Sequence, residues 1–249
     1  MQKPKSNGAL FRYLMASVLV TSIALGATTN LFGQNDNTVH VFPQIVDGRL
    51  SDGTVYRSAV IATNLSPLSA DCTLSTTGIP MDRFTGPGSF TLKEGDMQLN
   101  ITAGANPLVS GYATLTCSQP VQASLIYRSS TPGGLTSGMA TVFSAPRATY
   151  AGIPLLSGAS VRVGLAVANT AGAPIMVNFL LKFDDGTTNG KAVQIPANSQ
   201  MVRFIDELVD VPAGTSPTNF EMSSASPFFV TGLLFDGTVF TTLVPAILP

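Results

Sequence analysis

The chain repeats itself, and the repeat constrains its fold more than any single motif does. Tyr56-Arg-Ser-Ala-Val-Ile-Ala-Thr-Asn64 returns as Val161-Arg-Val-Gly-Leu-Ala-Val-Ala-Asn169, and Ser118-Gln-Pro-Val121 returns as Ala225-Ser-Pro-Phe228. A unit of about a hundred residues used twice calls for two copies of one architecture. Within each copy, short runs of alternating apolar and polar residues are separated by Gly, Pro, Asn or Asp, which is the pattern of antiparallel strands joined by turns.

The runs can be placed in order. An opening segment, Val39–Pro43 or Tyr150–Pro154, leads to the Tyr56 or Val161 strand. A Pro-containing turn then leads to a strand at Leu68 or Ile175. Paired short strands follow at Phe90–Leu92 and Met97–Ile101, matched by Val193–Ile195 and Met201–Phe204. Strands around Leu115 and Leu125, or Met222 and Leu233, complete the body, and Met139–Phe143 or Phe240–Val244 closes each copy. Val202–Leu208 is the one segment that reads as helix. About seven short strands per copy predict an all-β chain of two tandem immunoglobulin-like antiparallel β-sandwiches, at residues 39–149 and 150–249.

The residues before this region read as a targeting segment. Lys3, Lys5 and Arg12 precede an apolar run from Leu14 to Leu25, and small residues follow at Gly26-Ala27. That is the order of a secretory signal peptide, and the run is short for a bilayer span. The expectation is a signal peptide at 1–27, with cleavage as late as 33, and a flexible segment at 28–38. No membrane span is expected in the mature chain, which would be exported to the periplasm or the extracellular space.

Charge excludes one class of partner. Removing the three basic residues of the leader leaves ten Lys+Arg against 14 Asp+Glu, so the mature chain is acidic. A surface able to neutralise nucleic-acid phosphates is therefore not expected. Charged residues make up 11% of the chain, well below the usual quarter, and Thr and Ser take their place on solvated sheet faces.

The two cysteines fall on the same phase of their strands. Leu68, Ala70, Cys72 and Leu74 alternate with polar residues, as do Ala113, Leu115 and Cys117. Both sulfurs should face one core, which predicts a Cys72–Cys117 disulfide in an exported protein. A shift of 107 residues places Cys72 on Phe179 and Cys117 on Ser224, so in the second copy an aromatic facing a small residue is expected to fill the equivalent space.

No reactive constellation stands out. Asp184-Asp185-Gly186 resembles half a calcium loop, but Asp-Gly between strands reads as a hairpin turn. Asp206, Glu207 and Asp210 could suggest a carboxylate-pair hydrolase; on a short helical segment they read as a solvated face. Asn64-Leu-Ser66 and Asn100-Ile-Thr102 match the glycosylation acceptor pattern. The only histidine is His40, and no nucleophile elbow, zinc pattern or phosphate loop is present. No catalytic residue, metal site or cofactor is assigned.

His40-Val-Phe-Pro-Gln44, the strand ending Ala62-Thr-Asn64, Gly111-Tyr-Ala113 with Gln119-Pro-Val121, and the terminal Val244-Pro-Ala-Ile-Leu-Pro249 resemble a group of exported bacterial proteins. Those proteins consist of tandem β-sandwich units and carry no established activity. The resemblance covers nearly everything after the leader. The group's usual Trp in Gly-x-Ala is Tyr112 here, and the cysteine pair is not a feature of the group. The resemblance implies fold and export. The functional expectation is a non-catalytic structural or protein-interaction module of the cell envelope or extracellular space. Carbohydrate binding is the alternative and a hydrolase the least favoured reading. Sugar stacking wants exposed aromatics, and with no Trp only Tyr150, or an exposed Phe143 or Phe240, is free to serve.

Overall fold

The computed structural model describes residues 37–155, 161–236 and 239–247. The expected signal peptide and most of the segment after it lie outside the described residues. The described chain is all-β. Its first half holds β1 (Val39–Arg49), β2 (Val55–Thr63), β3 (Ala70–Thr77), a 3-10 turn (Met81–Arg83), β4 (Ser89–Leu92), β5 (Met97–Ile101), β6 (Val109–Cys117), β7 (Gln122–Ser130) and β8 (Thr136–Phe143). The second half holds β9 (Arg147–Pro154), β10 (Val161–Asn169), β11 (Ile175–Phe183), β12 (Thr188–Ile195), β13 (Ser199–Phe204), α1 (Ile205–Leu208), β14 (Pro217–Asp236), β15 (Val239–Leu243) and β16 (Ala246–Ile247).

In the first half the strands pair antiparallel in two rows. One is β4–β3–β6–β1; the other is β5–β2–β7–β8, tied to the first where Gly48 and Arg49 of β1 meet Tyr56 and Val55 of β2. Inward residues of both rows meet in one apolar cluster, including Phe42, Leu74 and Leu115 from the first row and Val60, Leu125 and Val142 from the second. Outward positions on β3 are exposed Asp71, Thr73 and Ser75, as period-two alternation requires.

The second half repeats the pairing strand for strand. β12–β11–β14–β9 forms one row and β13–β10–β14–β15 the other, with β14 serving both. Residues 217–223 of β14 stand where β6 does, and residues 228–236 stand where β7 does, with an irregularity between Ser223 and Phe228. Pro227 lies at that irregularity and Pro120 at the β6–β7 break; proline cannot donate to a ladder, so the chain changes row there. Hydrogen-bonded strands of each half come from that half alone. The expected division at 149/150 falls inside β9, whereas Ser144-Ala145-Pro146 separates β8 from β9.

Glycines mark where backbones approach closely. Gly111, in the Gly-Tyr-Ala stretch of β6, leaves no room for a side chain: a Cβ there would sit 1.7 Å from the Thr77 carbonyl oxygen. Gly48, with φ 131°, would place a Cβ 2.5 Å from the Leu108 Cα. Both positions set how β1 and β6 carry the loops around them.

Three details differ from the sequence expectation. The helix is confined to Ile205–Leu208, because Val202–Phe204 continue β13 in pairing with β10. Leu68 precedes β3 and is 58% exposed, so it does not join Cys72 and Leu74 inside. Phe179 faces Met222 and not Ser224. The β11–β14 ladder is offset by two residues from β3–β6, and Phe179 packs against the Phe220 ring with centroids 5.7 Å apart. The apolar filling is present, but it comes from Met222 and Phe220.

The halves belong to one compact unit, Gln34–Pro249, and touch along a third, smaller cluster. Val41, Tyr112 and Ala145 of the first half meet Ala168 and Phe229 of the second. β8 runs beside β15, where the Thr242 hydroxyl donates to the Thr141 carbonyl at 2.6 Å. The buried aromatic of the Gly-Tyr-Ala stretch thus packs between the halves.

Candidate binding surfaces

Most of the side chains that suggested chemistry are engaged by the fold. Asp185 accepts the Thr187 hydroxyl at 2.6 Å and its amide at 2.8 Å, and those bonds hold its carboxyl below the usual range. Asp184 accepts the Ser216 amide, and Gly186, with φ 83°, closes the β11–β12 hairpin. Asp206 takes a two-pronged bond from Arg162 at 2.8 and 3.1 Å, and Glu207 lies 3.7 Å from the same guanidinium. All three are well exposed, and the bond to Asp206 raises the Arg162 pKa. Asp210 contributes its backbone carbonyl to Asn189. His40 is buried, its ring nitrogens 3.1 Å from the Ser144 hydroxyl and the Asn37 carbonyl. Among the described residues no group of three His, Cys, Asp or Glu side chains is placed to hold a metal.

Both acceptor-pattern asparagines are buried. Asn64 donates to the Leu68 and Leu92 carbonyls and accepts the Ser66 amide. Asn100 donates to the Pro87 carbonyl and accepts from Gln98. Asn169, the repeat partner of Asn64, does the same work in the second half. It donates to Ala173, Ile195 and Pro196 and accepts from the Ala171 amide. Each of Asn64 and Asn169 fastens its β2–β3 or β10–β11 loop to the far end of the neighbouring strand pair.

The disulfide expectation rests on alternation, and the structure places Cys72 directly opposite Cys117 on neighbouring strands. Their sulfurs are at disulfide distance, 2.07 Å, with Cα atoms 4.1 Å apart. The pair is a cross-strand one within the β3–β6 ladder.

Sequence reading missed one polar centre. Asp47, fully buried, faces Arg83 at 3.0 Å and accepts the Gly104 amide at 2.6 Å. Arg83 also donates to the carbonyls of Ala105, Asn106 and Pro107. The guanidinium thereby gathers a loop whose own backbone has no ladder partner, using a fork of donors suited to several acceptors. Asp47 and Arg83 are far apart in sequence and share no motif, so no local signal pairs them.

The described residues also form two concavities. The first is an apolar cleft of about 360 Å³ where the halves meet, with Tyr56, Leu108, Phe204, Leu233, Phe235 and Phe240 among its walls. Phe204 meets Phe235 edge-on at 5.4 Å, and Phe235 lies 5.8 Å from Phe240. Arg162 covers the Phe204 ring at 3.7 Å from its centroid, a cation–π contact. The second is an open groove of about 400 Å³ on the outer face of β9, β14, β11 and β12. Tyr150 forms one wall, opposite Ser223 in the ladder, with Asn178 next in the row. Tyr150 donates to Glu221, which also accepts from Lys182 and Asn219; the bonds from Lys182 and Tyr150 hold the Glu221 carboxyl below its usual range against an opposing desolvation. Of the other aromatics named for stacking, Phe240 is half-buried and Phe143 is 67% exposed.

No family model matches this chain, and no curated protein or solved structure matches it either.

Proposed function

We propose that this chain is an exported, non-catalytic module that binds or spaces other components of the cell envelope or extracellular space. Its two halves are read as tandem immunoglobulin-like sandwiches. The β2–β5 and β3–β6 pairings support that reading, since they correspond to the B–E and C–F ladders of such domains. The observation that carries the functional reading is the commitment of Asp184, Asp185, Asp206, Glu207 and His40 to turns, ion pairs and hydrogen bonds of the fold. Cysteines at disulfide distance are in keeping with an oxidising compartment. The test is to assay the purified protein on polysaccharide, ester and peptide substrates. The reading expects no turnover, and turnover lost in Asp206→Asn or Glu207→Gln would replace it with an enzyme.

A second reading is carbohydrate binding, favoured by the Tyr150 groove, where an aromatic wall stands beside the polar residues Asn178 and Ser223. A glycan array separates the readings: binding lost in Tyr150→Ala would favour sugar, and no binding would favour a protein partner.

A further inference from the structure

We propose that the cleft between the halves is a binding site for an uncharged lipophilic small molecule carrying one hydrogen-bonding group. Three observations on its walls lead there. The walls are aliphatic and aromatic and come from both halves, with Tyr56 and Leu108 facing Phe204, Phe235 and Phe240. A mostly apolar cavity of this size, with few polar groups, is the usual form of a small-ligand site and sits where such sites concentrate, between packed units. At about 360 Å³ the space is too small for a helix with its side chains, roughly 10 Å across.

Charge around the mouth selects against ions. The charged residues of the lining are Arg203 and Glu207, one of each sign, and Glu207 lies 3.7 Å from Arg162, which also pairs with Asp206. An anionic or cationic head would gain no net field there and would lose its hydration on entry. One polar group of the lining is committed: the buried Tyr127 hydroxyl donates to the Gln44 backbone carbonyl. Gln44 and Tyr56 also line the cleft, and a side-chain amide or phenol hydroxyl there can serve one carbonyl or hydroxyl of the ligand.

Gly164 makes the proposal testable. It lies in β10 opposite Phe204 and Leu233 and lines the cleft. A Cβ built on it would stand 3.2 Å from the Phe235 ring and 3.7 Å from Phe204, so a larger side chain points into the space. The experiment titrates the full chain with the neutral fluorophore N-phenyl-1-naphthylamine, in parallel with its anionic relative anilinonaphthalene sulfonate. The expected result is saturable binding of one neutral probe, weakened at least about tenfold by Gly164→Leu. Leu108→Glu, at a rim position 38% exposed, is expected to weaken it similarly and decides the matter should Gly164→Leu fail to fold. Non-saturable binding, binding untouched by Leu108→Glu in a folded protein, or preference for the anionic probe would overturn the proposal.

Discussion

Asn169 and Asn64 offer the sharpest test of how each half holds together. Replacing Asn169, itself fully buried, by Ala leaves the carbonyls of Ala173, Ile195 and Pro196 and the amide of Ala171 without their side-chain partner. At about 1 kcal/mol net for each hydrogen bond, with extra cost for polar groups left buried, the loss is about 3 kcal/mol. Asn64→Ala removes three such bonds at 2.8–3.0 Å and should cost a similar amount. That is a large part of a typical domain's stability of about 5–15 kcal/mol. Asn→Asp at either site should cost at least as much, because it turns an oxygen toward carbonyls that now receive an NH₂ group. Urea denaturation of both single variants and the double variant reads the effect. Because the sites belong to different loops in different halves, the two losses should add within about 0.5 kcal/mol if unfolding stays two-state. A loss below about 0.5 kcal/mol for either Ala variant, against the expected magnitude, or a neutral Asn→Asp change, would refute the reasoning.

Other outcomes follow from the same structure. Reducing the Cys72–Cys117 pair, or replacing both by Ser, should lower stability by about 4 kcal/mol for a 45-residue separation, seen as a lower urea midpoint under reductant. Arg83→Met should cost about 3–5 kcal/mol by stranding buried Asp47, and a near-neutral result in thermal unfolding would show that the pair adds little. Gly111→Ala should prevent native packing of β6 on the Thr77 turn, giving insoluble protein or a sharply lower melting temperature. Glu221 is held below its usual range by Lys182 and Tyr150, so its contribution is present above the ordinary glutamate pKa and fades as pH falls through the lower folded value. Melting temperatures from about pH 5 to about pH 3 should therefore fall less in Glu221→Gln than in the parent protein.

Much of the fold is legible in the sequence because strand alternation and turn residues are local signals. The Asp184-Asp185-Gly186 hairpin and the inward phase of Cys72 and Cys117 are read from a few neighbours each. What is not legible depends on distance. The two-residue offset of Phe179 follows from irregularities between Lys182 and Phe183 and between Ser223 and Phe228, which equal spacing of the repeats conceals. The Asp47–Arg83 centre joins β1 to a 3-10 turn through folding alone. The cleft is hidden for a different reason. β10 is buried on both faces from Leu165 to Asn169, and its apolar run looks the same whether the second face meets its own half or the other. The small residues Ala166 and Ala168 record that approach, with Ala168 packed against the first half's Val41 and Tyr112 in the shared cluster.

The central claim, a module that works outside the cytoplasm with its cysteine pair bonded, is tested most directly by intact-mass analysis of the protein recovered from its native host without reductant. The account predicts a chain beginning between Gly26 and Gln34 whose mass matches the oxidised Cys72–Cys117 pair. A chain that retains Met1, or one with two thiols free to alkylate, would contradict it.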